Sequence, residues 1–274
     1  MNIKKLLLFS AVLMAGVTMS AQRVFDANLY QGKAPHGNGD AKDTAKVRVF
    51  LPASKDATGK AIVICPGGKY ETLHLDNEGY QWGEYFMNRG IAAIVLKYRM
   101  PHGNSDTPIA DAENAIKMVR QNARAWNIKT NDVGVMGFSA GGHLASTIAT
   151  QAKGDARPDF QVLFYPLITM MEGYSDGVSR ANLLGNKPSK REEKKFSSDL
   201  NVSRNTPRAF IALCDDDEVV PPANGVNYYL ELYRNDVPAS LYVYPHGGHG
   251  WGSSIGFKHH LEMQLNLEGW LKSF

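Results

Sequence analysis

Residues 134–143 read Gly134-Val135-Met136-Gly137-Phe138-Ser139-Ala140-Gly141-Gly142-His143, an apolar strand running into Gly-x-Ser-x-Gly and on into a small-residue helix. A serine nucleophile needs this setting. Its Oγ must stand exposed on a strained strand-to-helix turn whose backbone is crowded by neighbouring elements, so only glycine or a similar residue fits two positions to either side. The pentapeptide alone is a weak signal and occurs twice, because Gly252-Ser253-Ser254-Ile255-Gly256 also satisfies it in a chain with 26 glycines. Context separates the copies. The first follows a strand candidate at 132–136 and precedes a helix-forming segment at 142–150; the second follows a loop rich in glycine and histidine and reads as a turn. Ser139 is therefore the candidate nucleophile.

Outward from this elbow, apolar runs alternate with helical patterns. Strand candidates fall at 47–51, 61–65, 91–98, 133–136, 160–165, 209–213 and 241–244, and helix candidates at 80–88, 109–126, 141–150, 224–234 and 257–271. In the second helix Ile109, Ala112, Ala115, Ile116, Val119 and Ala123 recur at helical spacing. The alternation predicts an α/β fold with a mostly parallel, doubly wound sheet covered by helices on both faces. Near-continuous apolar stretches such as 62–64 and 91–96 mark strands buried on both sides. Residues 169–205 break the rhythm with a polar, basic composition (Lys187, Lys190, Arg191, Lys194, Lys195) and are read as an excursion over the site mouth. Residues 22–274 are thus expected to form a single domain.

Composition sets further bounds. A hydrophobic share of 43% with 21% charged residues over 274 positions is ordinary for a soluble globular protein. Thirty basic against 27 acidic side chains leave a net charge of +3, which points to no nucleic-acid groove or anionic membrane surface. The start, Met1-Asn2-Ile3-Lys4-Lys5 and then the apolar run 6–17, has the pattern of a secretory signal peptide at 1–21, with cleavage after Ser20 or Ala21. The run falls short of the ~20 apolar residues that span a bilayer, so no stable membrane insertion is expected after its removal. An exported protein, periplasmic or secreted, follows from this reading.

The two cysteines, Cys65 and Cys214, each close an apolar strand. With two other strands between them at a spacing of roughly 4.8 Å, their Cα atoms would lie ~14 Å apart, beyond disulfide reach, so both are expected as buried thiols.

A nucleophile needs a base, an acid to orient it and an oxyanion hole. In the doubly wound hydrolase arrangement nucleophile, acid and histidine follow in that chain order. Asp215-Asp216-Asp217-Glu218-Val219-Val220-Pro221 follows one strand and Pro245-His246-Gly247-Gly248-His249-Gly250-Trp251-Gly252 follows the last. A run of consecutive acids cannot be phased from sequence, which leaves Asp216 beside Asp217. The run lacks the spaced ligands of a calcium loop. His246 rivals His249 but suits strand-end packing; His143 reads as a structural residue, and His259 and His260 as surface residues of the last helix. No grouping of histidines and cysteines has zinc-site spacing, so neither metal nor cofactor is expected.

Taken together, Gly-Phe-Ser139-Ala-Gly-Gly-His, the Asp217-x-Val-Val-Pro loop and the Gly-Gly-His249-Gly loop resemble the α/β-hydrolase superfamily. Within it, Cys65-Pro66-Gly67-Gly68-Lys69-Tyr70, Leu96-Lys97-Tyr98-Arg99 and Ser179-Arg180-Ala181-Asn182-Leu183-Leu184-Gly185 resemble small bacterial esterases related to hormone-sensitive-lipase-like enzymes and acetyl xylan esterases. The resemblance implies Ser139, Asp217 and His249 as the catalytic set, with the Gly68 and Ala140 amides as oxyanion hole. Lys69 departs from the pattern, standing where relatives commonly carry a third glycine. Lys69, Tyr70 and Trp251 are the candidates for touching substrate. The implied activity is serine-dependent hydrolysis of short acyl esters, O-acetyl groups on plant polysaccharide fragments foremost. A general carboxylesterase, a serine peptidase and a carbohydrate-binding protein on a retired hydrolase fold share parts of the pattern.

Overall fold

The apolar runs lie side by side in one eight-stranded sheet in the computed structural model, which describes residues 21–274. The expected signal peptide, apart from Ala21, lies outside the described residues. The strands are β1 (Arg23–Asn28), β2 (Lys46–Leu51), β3 (Ala61–Cys65), β4 (Ala92–Lys97), β5 (Val133–Phe138), β6 (Phe160–Phe164), β7 (Arg208–Cys214) and β8 (Ala239–Tyr244), in the spatial order β1-β2-β4-β3-β5-β6-β7-β8. The first two pairings, β1 with β2 and β2 with β4, are antiparallel; all the others are parallel.

Successive side chains of a strand point to opposite faces, and the core divides accordingly. Val63, Cys65 and Val135 belong to one apolar cluster, whereas Ile62, Ile64, Met136 and Phe138 belong to the other. Among the described residues, eight α-helices connect and cover the strands: α1 (Gln81–Met87), α2 (Asp106–Gln121), α3 (Ala123–Trp126), α4 (Ser139–Gln151), α5 (Gly177–Leu184), α6 (Lys190–Lys195), α7 (Ala223–Arg234) and α8 (His260–Leu271). The first face is covered by α2, α4 and α7 through residues such as Ile116, Leu144 and Leu232. The second is covered by α1 and α8 through Trp82, Phe86, Met263 and Leu267. Each fully buried aliphatic side chain of these layers stabilises the fold by ~1.5–3 kcal/mol relative to exposure. This is the doubly wound α/β sheet expected from the alternation of patterns.

Three local readings change. β1 carries no apolar alternation and is exposed along most of its length, so its pairing with β2 leaves no hydrophobic trace in the sequence. The helix expected over 109–126 breaks at Asn122, and Asn127 ends the second piece in the left-handed conformation at φ 55°. A single π-helical turn, Asp76–Tyr80, precedes α1. Cys65 and Cys214 are free, buried, and on opposite faces of the sheet, with β5 and β6 between their strands.

Candidate active site

Ser139 opens α4 directly after β5 and holds φ at 51°, a conformation that costs a non-glycine residue energy and that surrounding packing must enforce. The enforcement is visible in its neighbours. A Cβ on Gly141 would lie 2.0 Å from the Cys65 carbonyl oxygen, and one on Gly137 would lie 2.1 Å from the Gly141 oxygen. The elbow is therefore pressed between β3 and the start of its own helix. The second Gly-x-Ser-x-Gly copy, 252–256, is a turn.

His249 reaches this serine from the loop after β8, its Nε2 2.8 Å from Ser139 Oγ. On the other side of the ring, Nδ1 lies 2.7 Å from Asp217 Oδ2. The second Asp217 oxygen accepts the Val219 and Val220 amides, each at 2.9 Å, so the loop after β7 holds the carboxylate under the imidazole. Between the two candidate acids, the fold brings Asp217 to the histidine. Asp216 turns the other way and accepts the Gly247 and Gly248 amides at 3.0 and 2.7 Å. Those bonds, Gly248 foremost, hold its carboxyl below the usual carboxylate range. His246 is exposed and faces Asp216 at 3.6 Å, away from the serine.

The turn after β3 closes the site from the other side. A Cβ on Gly67 would sit 3.0 Å from Ser139 Cβ. The turn is wound tightly: the Gly68 oxygen accepts the Glu71 and Thr72 amides, and the Gly67 oxygen accepts the His74 amide. Gly68 holds φ at 133°, and Ala140 stands in the first turn of α4, where amides have no intrahelical acceptor. The two amides singled out for an oxyanion thus come from elements that meet at Ser139.

A sequence model of the BD-FAE family matches residues 47–232. The chain belongs to the BD-FAE family. Among curated relatives, the acetylxylan esterase of Xylanibacter ruminicola is 40% identical over 274 residues, covering 97% of this chain and 54% of the relative. Endo-1,4-beta-xylanase B of Butyrivibrio fibrisolvens is 33% identical over 210 residues, covering 71% of this chain and 33% of the relative. The chain thus spans about half or less of the length of these two relatives. Among solved structures, an acetyl ester-xyloside bifunctional hydrolase from Caldicellulosiruptor lactoaceticus superposes with a TM-score of 0.84 at 30% identity, over 94% of this chain and 98% of that one.

In this BD-FAE site the candidate substrate residues part company. Lys69 is exposed at φ 59°, and its carbonyl accepts the Asn182 side chain of α5 at 2.9 Å, so the basic excursion rests on the oxyanion turn. Tyr70 is only 1% exposed; its hydroxyl bonds His143 Nδ1 at 2.8 Å inside the core. Trp251 is 5% exposed and stacks on Phe257 with ring centroids 4.4 Å apart. Neither aromatic reaches the mouth, because apolar packing against the second core face holds Trp251 and a buried hydrogen bond holds Tyr70. His143 is likewise structural: its Nε2 donates to the Phe196 carbonyl at 2.6 Å, and burial lowers its pKa to about 4. His259 and His260 are half-buried rather than surface residues, His259 stacking on Tyr244.

The BD-FAE site also contains groups that motif reading passed over. Glu78, 1% exposed, accepts the Gly67 amide at 2.7 Å and the Tyr165 hydroxyl at 2.8 Å. The Tyr165 ring lies edge-on to His249 with centroids 4.8 Å apart. A recess of about 650 Å³, bounded by residues including Ile168, Thr169, Tyr174, Pro221 and Asn227, opens where β6 and the acid loop end. Among the described residues no group of three or more His, Cys, Asp and Glu side chains could hold a metal ion, and no helix is long and apolar enough to cross a membrane.

Proposed function

We propose that the protein is an exported serine esterase that removes short acyl groups, O-acetyl foremost, from fragments of plant polysaccharides such as acetylated xylan. The observation that carries the chemistry is the continuous run of contacts from Asp217 through His249 to Ser139 at 2.7 and 2.8 Å. With Nδ1–H donated to Asp217, Nε2 accepts the Ser139 proton as Oγ adds to the ester carbonyl. The carbonyl electron pair moves onto oxygen, where the Gly68 and Ala140 amides would receive it, each donor lowering the barrier by ~3 kcal/mol. Collapse expels the alcohol, which takes its proton from His249 and leaves an acyl-enzyme. Water, deprotonated by the same imidazole, then releases the acid and restores Ser139.

The substrate reading is supported by the relatives that act on xylan or its acetyl esters by name. Export is supported by the lysine start and apolar run of residues 1–21. Acetate release from acetylated xylo-oligosaccharides, with Ser139→Ala as control and 4-nitrophenyl acetate as a generic ester, tests the activity. Serine-dependent deacetylation of the oligosaccharide supports the carbohydrate esterase. Turnover of the generic ester alone leaves a general carboxylesterase, and silence on both overturns the esterase reading. Fractionation of expressing bacterial cells tests export.

A further inference from the structure

A carboxylate buried in an apolar core costs several kcal/mol of desolvation unless its partners compensate, so one that persists next to a reaction centre is a candidate for a task other than stability. Glu78 is such a group. Its carboxyl pKa is raised above the ordinary carboxylate value, burial being the main cause and the Tyr165 and Gly67 hydrogen bonds opposing it. The titratable groups facing it are Tyr165 after β6, His74 at 3.9 Å on its own segment, Tyr98 at the end of β4, and His249 on the loop after β8. A raised folded-state pKa means that this group favours the fold below the ordinary carboxylate range. The contribution is lost as pH rises through the folded value.

What the carboxylate holds is specific. Oε2 accepts the amide of Gly67, the residue before the oxyanion candidate Gly68. Oε1 accepts the hydroxyl of Tyr165, and that hydroxyl oxygen accepts the Gly252 amide at 3.0 Å, three residues after His249. From the same π-helical turn, Asn77 donates to the Gly250 carbonyl at 3.1 Å and accepts the Ser253 amide at 3.0 Å. One short turn therefore fastens both the oxyanion loop and the histidine loop, which approach Ser139 from opposite sides.

We infer that Glu78, acting through Tyr165, is a positioning residue that fixes the oxyanion turn and the His249 loop relative to one another for attack by Ser139. The inference deepens the proposed ester hydrolysis and rests on it. A carboxylate suits the task because both oxygens accept. A glutamine offers one acceptor and one donor, so either the Gly67 N–H or the Tyr165 O–H faces an amide N–H₂. No charge need move during turnover; the tie acts by geometry, and misplacing reacting groups by about 1 Å can cost ~10²-fold.

The test compares wild type, Glu78→Gln, Tyr165→Phe and the double variant, reading kcat and KM on 4-nitrophenyl acetate, the rate of Ser139 labelling by a fluorophosphonate, and Tm between pH 4 and 8. The expected result for Glu78→Gln is a ~10–100-fold fall in kcat and in labelling rate, with KM within ~2-fold. Its Tm at pH 8 should be at or above that of wild type. Tyr165→Phe should fall about tenfold, and the double variant should be no worse than Glu78→Gln by more than ~3-fold, because both changes cut one tie. Wild-type kcat and labelling in a folded variant would overturn the inference. So would a loss of activity matched by a fall in Tm at neutral pH, which would make Glu78 merely structural. If Glu78→Gln does not fold, Tyr165→Phe decides by the same readings. Labelling needs no ester substrate, so the tie is tested even where wild type hydrolyses none and the esterase reading fails.

Discussion

Asp216 and Asp217, adjacent in sequence, serve adjacent residues of one loop: Asp217 receives His249 Nδ1 at 2.7 Å, while Asp216 receives the Gly248 amide at 2.7 Å. The neighbouring carboxylates orient the ring and the backbone that carries it. Asp217→Asn should lower kcat by ~10³–10⁴-fold, since an amide in that place favours the wrong imidazole tautomer. Asp216→Asn keeps one acceptor for the two amides and should cost only about tenfold. Steady-state kinetics on 4-nitrophenyl acetate, with circular dichroism to verify folding, measures both. Equal losses would refute the division of labour.

His143 supplies a pH prediction. Its pKa is lowered by burial from 6.5 to about 4, so the unfolded chain binds a proton there that the folded chain refuses. Its contribution is present above pH ~6.5 and lost as pH falls toward 4, amounting at most to ~3 kcal/mol. Urea unfolding at pH 7 and pH 4.5 should show this decline in wild type and a shallower one in His143→Gln.

Arg99 and Asp111 form a buried ion pair, with side chains 5% and 0% exposed and a 2.7 Å contact. Arg99 also donates to the Pro35 carbonyl at 2.9 Å, and the Tyr30 hydroxyl donates to Asp111 at 2.8 Å, so the pair pins the segment between β1 and β2 against α2. Asp111→Ala strands the guanidinium and should cost ~3–5 kcal/mol. Tyr30→Phe removes one hydrogen bond to a charged group and should cost ~1.5–3 kcal/mol. Denaturant midpoints at neutral pH check the ranking.

Burial pushes both the Cys65 and the Cys214 thiol up to about 12. Neither should react with Ellman's reagent at pH 8 in the native state, and both should react in guanidinium. Finding no thiol in the unfolded, unreduced protein would contradict the free cysteines of the fold.

The sequence by itself determined β2 to β8, the elbow at Ser139 and the chain order of serine, acid and histidine; β1, exposed and without apolar alternation, it did not. These are encoded between near neighbours: apolar runs for buried strands, small residues around a strained turn, turn formers after strand ends. Tertiary structure decided what depends on register across the sheet. Whether Asp216 or Asp217 faces His249 is a matter of one residue's rotation at the end of β7, and no composition rule phases it. Tyr70 and Trp251 look like substrate contacts beside a catalytic motif, yet they point into the core because His143 and Phe257 wait for them there. Glu78 carries no motif. Its partners, Gly67 and Tyr165, lie 11 and 87 residues away, and only the parallel stacking of β3, β5 and β6 brings their ends to one place.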